Sequence, residues 1–201
     1  MSGQLSELVD QYGFAIVPDV LDADQIARLQ QTILKRSAGN RERYLLEFPE
    51  LVDLARSRSI RELTAQVCGV ECHAIAATLF DKFPGDNWFV PRHQDVNIAV
   101  KDRHDVAGFG AWSIKHGVVH VQPPEEVLEQ VLAVRLHLDA ADGSNGALRV
   151  LPGSHRYGRL DDTRLSEISK QNDEVLLEVG AGAAILMRAV VGACFCEVGK
   201  C

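Results

Sequence analysis

The alternation of apolar and polar positions changes character along this chain. Tyr12 to Val17 alternates weakly and predicts a strand, ended by Pro18 and Asp19. Asp22 then precedes a helical pattern with Ile26, Leu29, Ile33 and Leu34 on one face, and Gln25 three residues on completes a capping-box start. Gly39 and Asn40 are read as its stop. A second helix is expected over about 58–68, with Ile60, Leu63 and Val67 inward and Gly69 as its C-terminal stop.

From residue 73 the period shortens toward two. His73 to Phe80 reads as a strand, Pro84 to Asn87 as a turn, and Phe89 to Val100 as short extended pieces around Pro91. Val131 to Asp139 sets Ala133, Arg135 and His137 against Leu132, Val134, Leu136 and Leu138, a strand with one apolar and one polar-bearing face. Short strands are expected at Ala147–Leu151, Val175–Val179 and Ala183–Val191. Helices in front and turn-separated strands behind predict a mainly β sandwich or barrel with a helical flank. Gly180 and Gly182 lack the helix and spacing of a phosphate loop.

The 201 residues make one domain, and 46% apolar with 24% charged residues permits a packed core. A net charge of -7 argues against nucleic acid as a partner. No apolar run approaches the roughly 20 residues of a membrane span, and no leader is apparent, so a cytoplasmic protein is expected. Of five cysteines, Cys194, Cys196 and Cys201 crowd the last eight residues, which is no secreted disulfide framework.

Candidate chemistry starts at Val90-Pro91-Arg92-His93-Gln94-Asp95. In an extended segment His93 and Asp95 share a face, close enough for one metal ion, and an imidazole and a carboxylate with a second, distant imidazole would make the facial triad of non-haem iron(II) enzymes. The spacing equally suits a surface histidine hydrogen-bonded to a nearby acid.

The surroundings sharpen this. Leu79 to Val100 reads LFDKFPGDNWFVPRHQDVNIAV and Asn145 to Leu160 reads NGALRVLPGSHRYGRL. With LLEFPELVDLA at Leu45–Ala55, the stretches at 109–113 and 120–124, and LAVRLHLDAADG at Leu132–Gly143, the chain resembles the phytanoyl-CoA dioxygenase-like family of iron(II)/2-oxoglutarate oxygenases over nearly its whole length. The resemblance implies a double-stranded β-helix (jelly roll), Fe(II) as metal, 2-oxoglutarate as co-substrate, and hydroxylation of a small organic or acyl substrate. His93 and Asp95 match the first two iron ligands, and the presence of Asp95 favours hydroxylation over halogenation. Trp112 resembles a family aromatic near the 2-oxoglutarate pocket, with simple packing as its other reading. Arg135 is read as a contact to the co-substrate or a substrate anion, or as a satisfied interior arginine. His137 is expected to line the barrel, His155 to serve a pocket wall, and His73, His104 and His116 to be surface residues.

The chain departs from the family late. Where the family reads like MRPLLLHASS, this sequence has Met187-Arg188-Ala189-Val190-Val191-Gly192-Ala193-Cys194-Phe195, with Ala193 at the place of the distal histidine, and no histidine follows His155. The family's arginine for 2-oxoglutarate is expected one strand later. Two explanations are open: a natural relative with two protein ligands, or a frame change near 190–192. The second is favoured, because a one-base shift can turn the tail into His-Ala-Ser-Ala-Lys and would account for the cysteines. The expected division is a helical flank with the first strand (1–72), a jelly-roll core (73–191) lacking its last strands, and an aberrant tail (192–201). The unpaired edge is expected to favour self-association, and the chain to be inactive. The alternatives are a non-catalytic jelly roll that binds a small molecule, and a translation product with no stable fold.

Overall fold

The polar-bearing face of the 131–139 stretch turns inward. In a computed structural model, described over residues 2–36, 45–81 and 90–195, this stretch forms β6 (Leu132–Leu136). It pairs antiparallel with β9 (Ala184–Arg188), which pairs on its other side with β1 (Phe14–Val17). Leu132, Val134 and Leu136 pack outward with Ala15, Ala184 and Leu186 against Val9, Leu63 and Val67. Those last three lie on α1 (Ser2–Tyr12) and α4 (Arg58–Cys68). Ala133 packs the other way, into a core of Ile185, Met187, Leu148, Val150, Leu177 and Ala193. Period-two alternation puts Arg135 on that inner face with Ala133.

A second sheet closes the far side of this core, in the order β2 (Val90–His93), β10 (Ala193–Phe195), β7 (Leu148–Val150), β8 (Val175–Leu177). A third sheet sets β5 (Val118–Gln122) between β3 (Ile98–Val100) and β4 (Gly110–Lys115). The β4–β5 turn is His116-Gly117, both at positive φ, as a two-residue turn matched to strand twist requires. The chain is mainly β with helices, and its sheets remain open.

Local chemistry explains the helices. α2 (Ala23–Arg36) begins with the expected capping box: the Gln25 N–H donates to Asp22 Oδ1 at 2.7 Å and the Asp22 N–H to Gln25 Oε1 at 2.9 Å. Its expected stop at Gly39 and Asn40 lies outside the described residues. α4 is capped by the Ser57 side chain and stops at left-handed Gly69, as expected. Four helices carried no reading in the sequence: α1, α3 (Pro49–Arg56), α5 (Glu125–Leu128) and α6 (Asp162–Gln171). No described helix is long and apolar enough to cross a membrane.

One expectation is corrected. His73 to Phe80 forms no strand. Among the described residues it holds an isolated bridge at Thr78, with Ile75 and Phe80 exposed, and the Leu45 N–H donates to the Ala77 carbonyl. Residues 193–195, expected within an aberrant tail, form a strand paired on both sides, with Cys194 buried. Residues 196–201 and the 84–87 turn lie outside the described residues.

Four polar side chains are buried among the described residues: Thr64, Gln94, His137 and Ser154. Thr64 bonds back to the Ile60 carbonyl. Ser154 donates to the Leu151 carbonyl at 2.7 Å and accepts from the Gly192 N–H at 2.9 Å. Gln94 joins three segments. Its amide donates to the carbonyls of Gly158 and Val190, and its oxygen accepts from the Leu160 N–H at 2.8 Å. His137 differs, because its Nε2 has no partner.

Gln94→Ala strands three backbone groups, so urea unfolding is expected to show a loss of about 3 kcal/mol. Burial, and then the Arg135 charge, push the His137 imidazole down to about 4 from an ordinary 6.5. A depressed histidine adds stability that is fully present above pH 6.5 and is lost as pH falls toward 4, where the unfolded chain takes up the proton first. Stability should therefore fall by roughly 2 kcal/mol between pH 7 and pH 5, and the slope should flatten in His137→Gln, as read by denaturation at pH 7, 6 and 5.

Candidate metal centre

β2 delivers His93 at its last position. Pro91, two residues earlier, has no N–H, and its carbonyl lies 2.9 Å from His93 Nδ1. With Nδ1 donating there, the tautomer is fixed and the Nε2 lone pair is free to bind a cation. That Nε2 is 3.6 Å from Asp95 Oδ1. Both side chains reach solvent, His93 at 40% and Asp95 at 60% exposure. Gln94 points the opposite way into its buried amide network. The Asp95 N–H donates to the Ala189 carbonyl at 2.8 Å, so the carboxylate leaves from a backbone pinned to the segment between β9 and β10. The i, i+2 spacing is thus held by bonds on both sides of each ligand candidate.

The third corner is equally well positioned, and it carries no donor. Ala193 is the cross-strand partner of His93. Directly opposed residues share a face with Cβ atoms about 4.5–5.5 Å apart. The register is enforced by the β10–β7 pairing, by the Ser154 hydroxyl on the Gly192 N–H, and by the Leu151 N–H on the Gly192 carbonyl at 2.9 Å. A Cβ on Gly192 would come within 2.9 Å of Leu165 Cδ1, so any larger residue there requires the Leu165 side chain to shift. A methyl group therefore stands beside His93. Among the described residues no three of His, Cys, Asp or Glu converge as a metal site. One imidazole nitrogen and one carboxylate oxygen facing each other suit a first-row divalent ion. The pair fits such an ion as a two-point holder.

The neighbouring cysteine does not fill the gap. Cys194 follows Ala193 and faces the other side of the sheet, with Sγ 3.7 Å from Glu174 Oε1. Glu174 in turn pairs with Arg92. Burial pushes the Cys194 thiol up, which disfavours the thiolate that a metal would need.

The remaining candidates are dispersed. Arg135 and His137 lie across the core from β2, on the inner face of the β6 strand and its continuation, and the Arg135 guanidinium sits 5.7 Å from the Phe80 ring centre. Trp112 is on β4 under the Arg103 guanidinium, 5.4 Å from its ring centre. It walls a separate cavity of about 370 Å³ with Val100, Phe109 and Val121, whose lining includes neither His93 nor Asp95. His155 is drawn to the end of α1, its Nε2 3.2 Å from the Asp10 carbonyl. Arg188 pairs with the Asp10 carboxylate at 2.9 Å. Gln94 carried no role in the sequence reading, although a glutamine between two ligand candidates must face away from them and into whatever lies behind.

The fold has counterparts. AviO1 from Streptomyces viridochromogenes Tue57 is 20% identical, with 97% of this chain and 87% of that one covered and a TM-score of 0.66. SnoK, a non-heme alpha ketoglutarate dependent carbocyclase from nogalamycin biosynthesis, is 15% identical over 100% of this chain and 79% of its own, with a TM-score of 0.72. EctD from S. alaskensis with bound Fe is 16% identical over 97% and 70%, with a TM-score of 0.63. These likenesses establish a shared jelly-roll-type fold. No curated protein matches the chain. The family model of Phytanoyl-CoA dioxygenase (PhyH) matches residues 9–191, a span that runs from α1 through β2 and β6 to the segment before β10, and the chain therefore belongs to that family.

Proposed function

We propose that this chain is an iron(II)/2-oxoglutarate oxygenase of the phytanoyl-CoA dioxygenase family whose metal is held by His93 and Asp95 alone, leaving it with little or no hydroxylase activity of its own. The observation that carries the reading is the His93–Asp95 pair at 3.6 Å beside Ala193. Family membership supports the class of chemistry, and the donor set supports the identity of the two ligands. Bound iron(II) would supply the activation of dioxygen that drives oxidative decarboxylation of the 2-oxo acid.

The chain's own residues do the rest. The Pro91 carbonyl accepts from Nδ1 of His93, which leaves Nε2 as the nitrogen that faces the ion's position. The Ala189 carbonyl and the Gln94 network hold Asp95 in register with it. Arg135 is assigned to a carboxylate of the co-substrate or substrate, and Trp112, which walls a separate cavity, to packing there. The substrate is a small organic or acyl molecule. A non-catalytic binding role for the same jelly roll is the second reading, and the methyl group at the third corner favours it.

Anaerobic Fe(II) titration separates the two. The intact chain should bind one Fe(II) weakly, and His93→Ala or Asp95→Ala should abolish that uptake. Ala193→His, which returns an imidazole to the cross-strand position, should tighten Fe(II) binding by at least about tenfold, since even outer-shell partners of metal ligands are worth that much. Equal metal uptake by the His93→Ala, Asp95→Ala double variant would overturn the site. Succinate release coupled to a hydroxylated product in the unmodified chain would overturn the inactivity.

A further inference from the structure

The turn that follows α4 brings two thiols to one wall. Cys68 is the last residue of α4, and Gly69 ends the helix in the left-handed conformation at φ 70°, its N–H on the Ala65 carbonyl. A stop of this kind reverses the chain. Glu71 reaches back to Arg61, two turns before Cys68 on α4, at 2.6 Å. Val70 is left at the tip of the turn, 66% exposed, and Cys72 returns toward Cys68. Burial, and then the Cys72 side chain beside it, push the Cys68 thiol up to about 12 from an ordinary 9. Both are half-buried free thiols. Both line a cavity of about 1270 Å³ that also takes in Leu132, Val134 and Leu136 from the outer face of β6. Neither His93 nor Asp95 lines it. Among the described residues no third donor completes a metal site with the pair, which is therefore a dithiol. Cys194 makes the contrast, since it is 6% exposed and lies beside Glu174.

We propose that Cys68 and Cys72 form a reversible disulfide, made by exchange with small disulfides of the glutathione class that reach the pair through this cavity. Cys72 is the attacking sulfur, because Cys68 holds its proton at ordinary pH and the thiolate is the nucleophile. The Cys72 thiolate, its proton given to water, attacks one sulfur of the small disulfide. That S–S bond breaks, and one small thiolate leaves and takes up a proton. Cys68 then attacks the Cys72 sulfur of the mixed disulfide, and its proton goes to the second small thiolate as that leaves. The protein loses two hydrogens and gains one S–S bond, while the small disulfide is reduced to two thiols. The bond fastens the start of the 71–77 segment to the end of α4, whose Leu63 and Val67 pack on β6. Residues 71–77 line the cavity, so the oxidation state sets how firmly that wall is held. None of this rests on the metal reading, since neither ligand candidate takes part.

The full chain is equilibrated with graded ratios of reduced to oxidised glutathione, alkylated, cut with trypsin and weighed by mass spectrometry. Cleavage after Arg61 and Lys82 releases residues 62–82, which hold Cys68 and Cys72 and no other cysteine. At oxidising ratios this peptide should be two hydrogens lighter and take no alkyl group, and excess reduced glutathione should reverse the change. Cys68→Ser should stop at a glutathione adduct on Cys72. Cys72→Ser should leave Cys68 free over the same time, and equal adduct formation there would overturn Cys72 as the attacking sulfur. Oxidation should raise the thermal midpoint of the unmodified chain by about 2–5 °C and leave that of Cys68→Ser unchanged. Two alkylated cysteines at the most oxidising ratio would overturn the proposal, as would a lasting glutathione adduct in place of the internal bond. So would equal conversion, at each ratio, of the folded chain and the chain unfolded in urea, because the turn after α4 would then contribute nothing.

Discussion

The pairing of β10 between β2 and β7 is the constraint on which the rest depends. Three residues, Ala193 to Phe195, join a strand from the middle of the chain to one contributed sixty residues later. Their register decides what stands beside His93. It is secured from outside the sheet as well, by a serine hydroxyl on the preceding glycine N–H and by the close packing of that glycine against Leu165. Ordering so short a strand depends on such supports, because each backbone residue fixed costs about 1–2 kcal/mol of conformational entropy.

Much of the site was legible because it follows from period and spacing. The i, i+2 placement of His93 and Asp95 needs only an extended backbone, and the helix starts at Asp22 and Ser57 need only local capping chemistry. The inward face of Arg135 and His137 follows from alternation on β6. Residues 73–80 show where this reasoning stops: an alternating sequence describes an extended chain, and only a neighbouring edge makes it a strand. Here the segment lies mostly exposed, and among the described residues it shows a bridge at Thr78 and the Leu45 N–H on the Ala77 carbonyl in place of a ladder.

Gln94 and Ser154 were hidden for another reason. Each works through long-range bonds to backbone groups, Gln94 to residues 158, 160 and 190, and Ser154 to residue 192. No local pattern marks a side chain whose partners lie on loops tens of residues away. Both bind the turns that present the site, so the geometry around His93 is set by groups that never face it.

The bond between His93 and the Pro91 carbonyl has a further meaning. A histidine that must first find its rotamer and tautomer loses freedom when an ion arrives, and that loss is subtracted from affinity. Here the strand's own carbonyl has already selected both, and the loss is taken during folding. The His93 imidazole is a finished half of a coordination sphere, so affinity at this position is governed by what the opposite strand contributes and little by the readiness of the histidine itself.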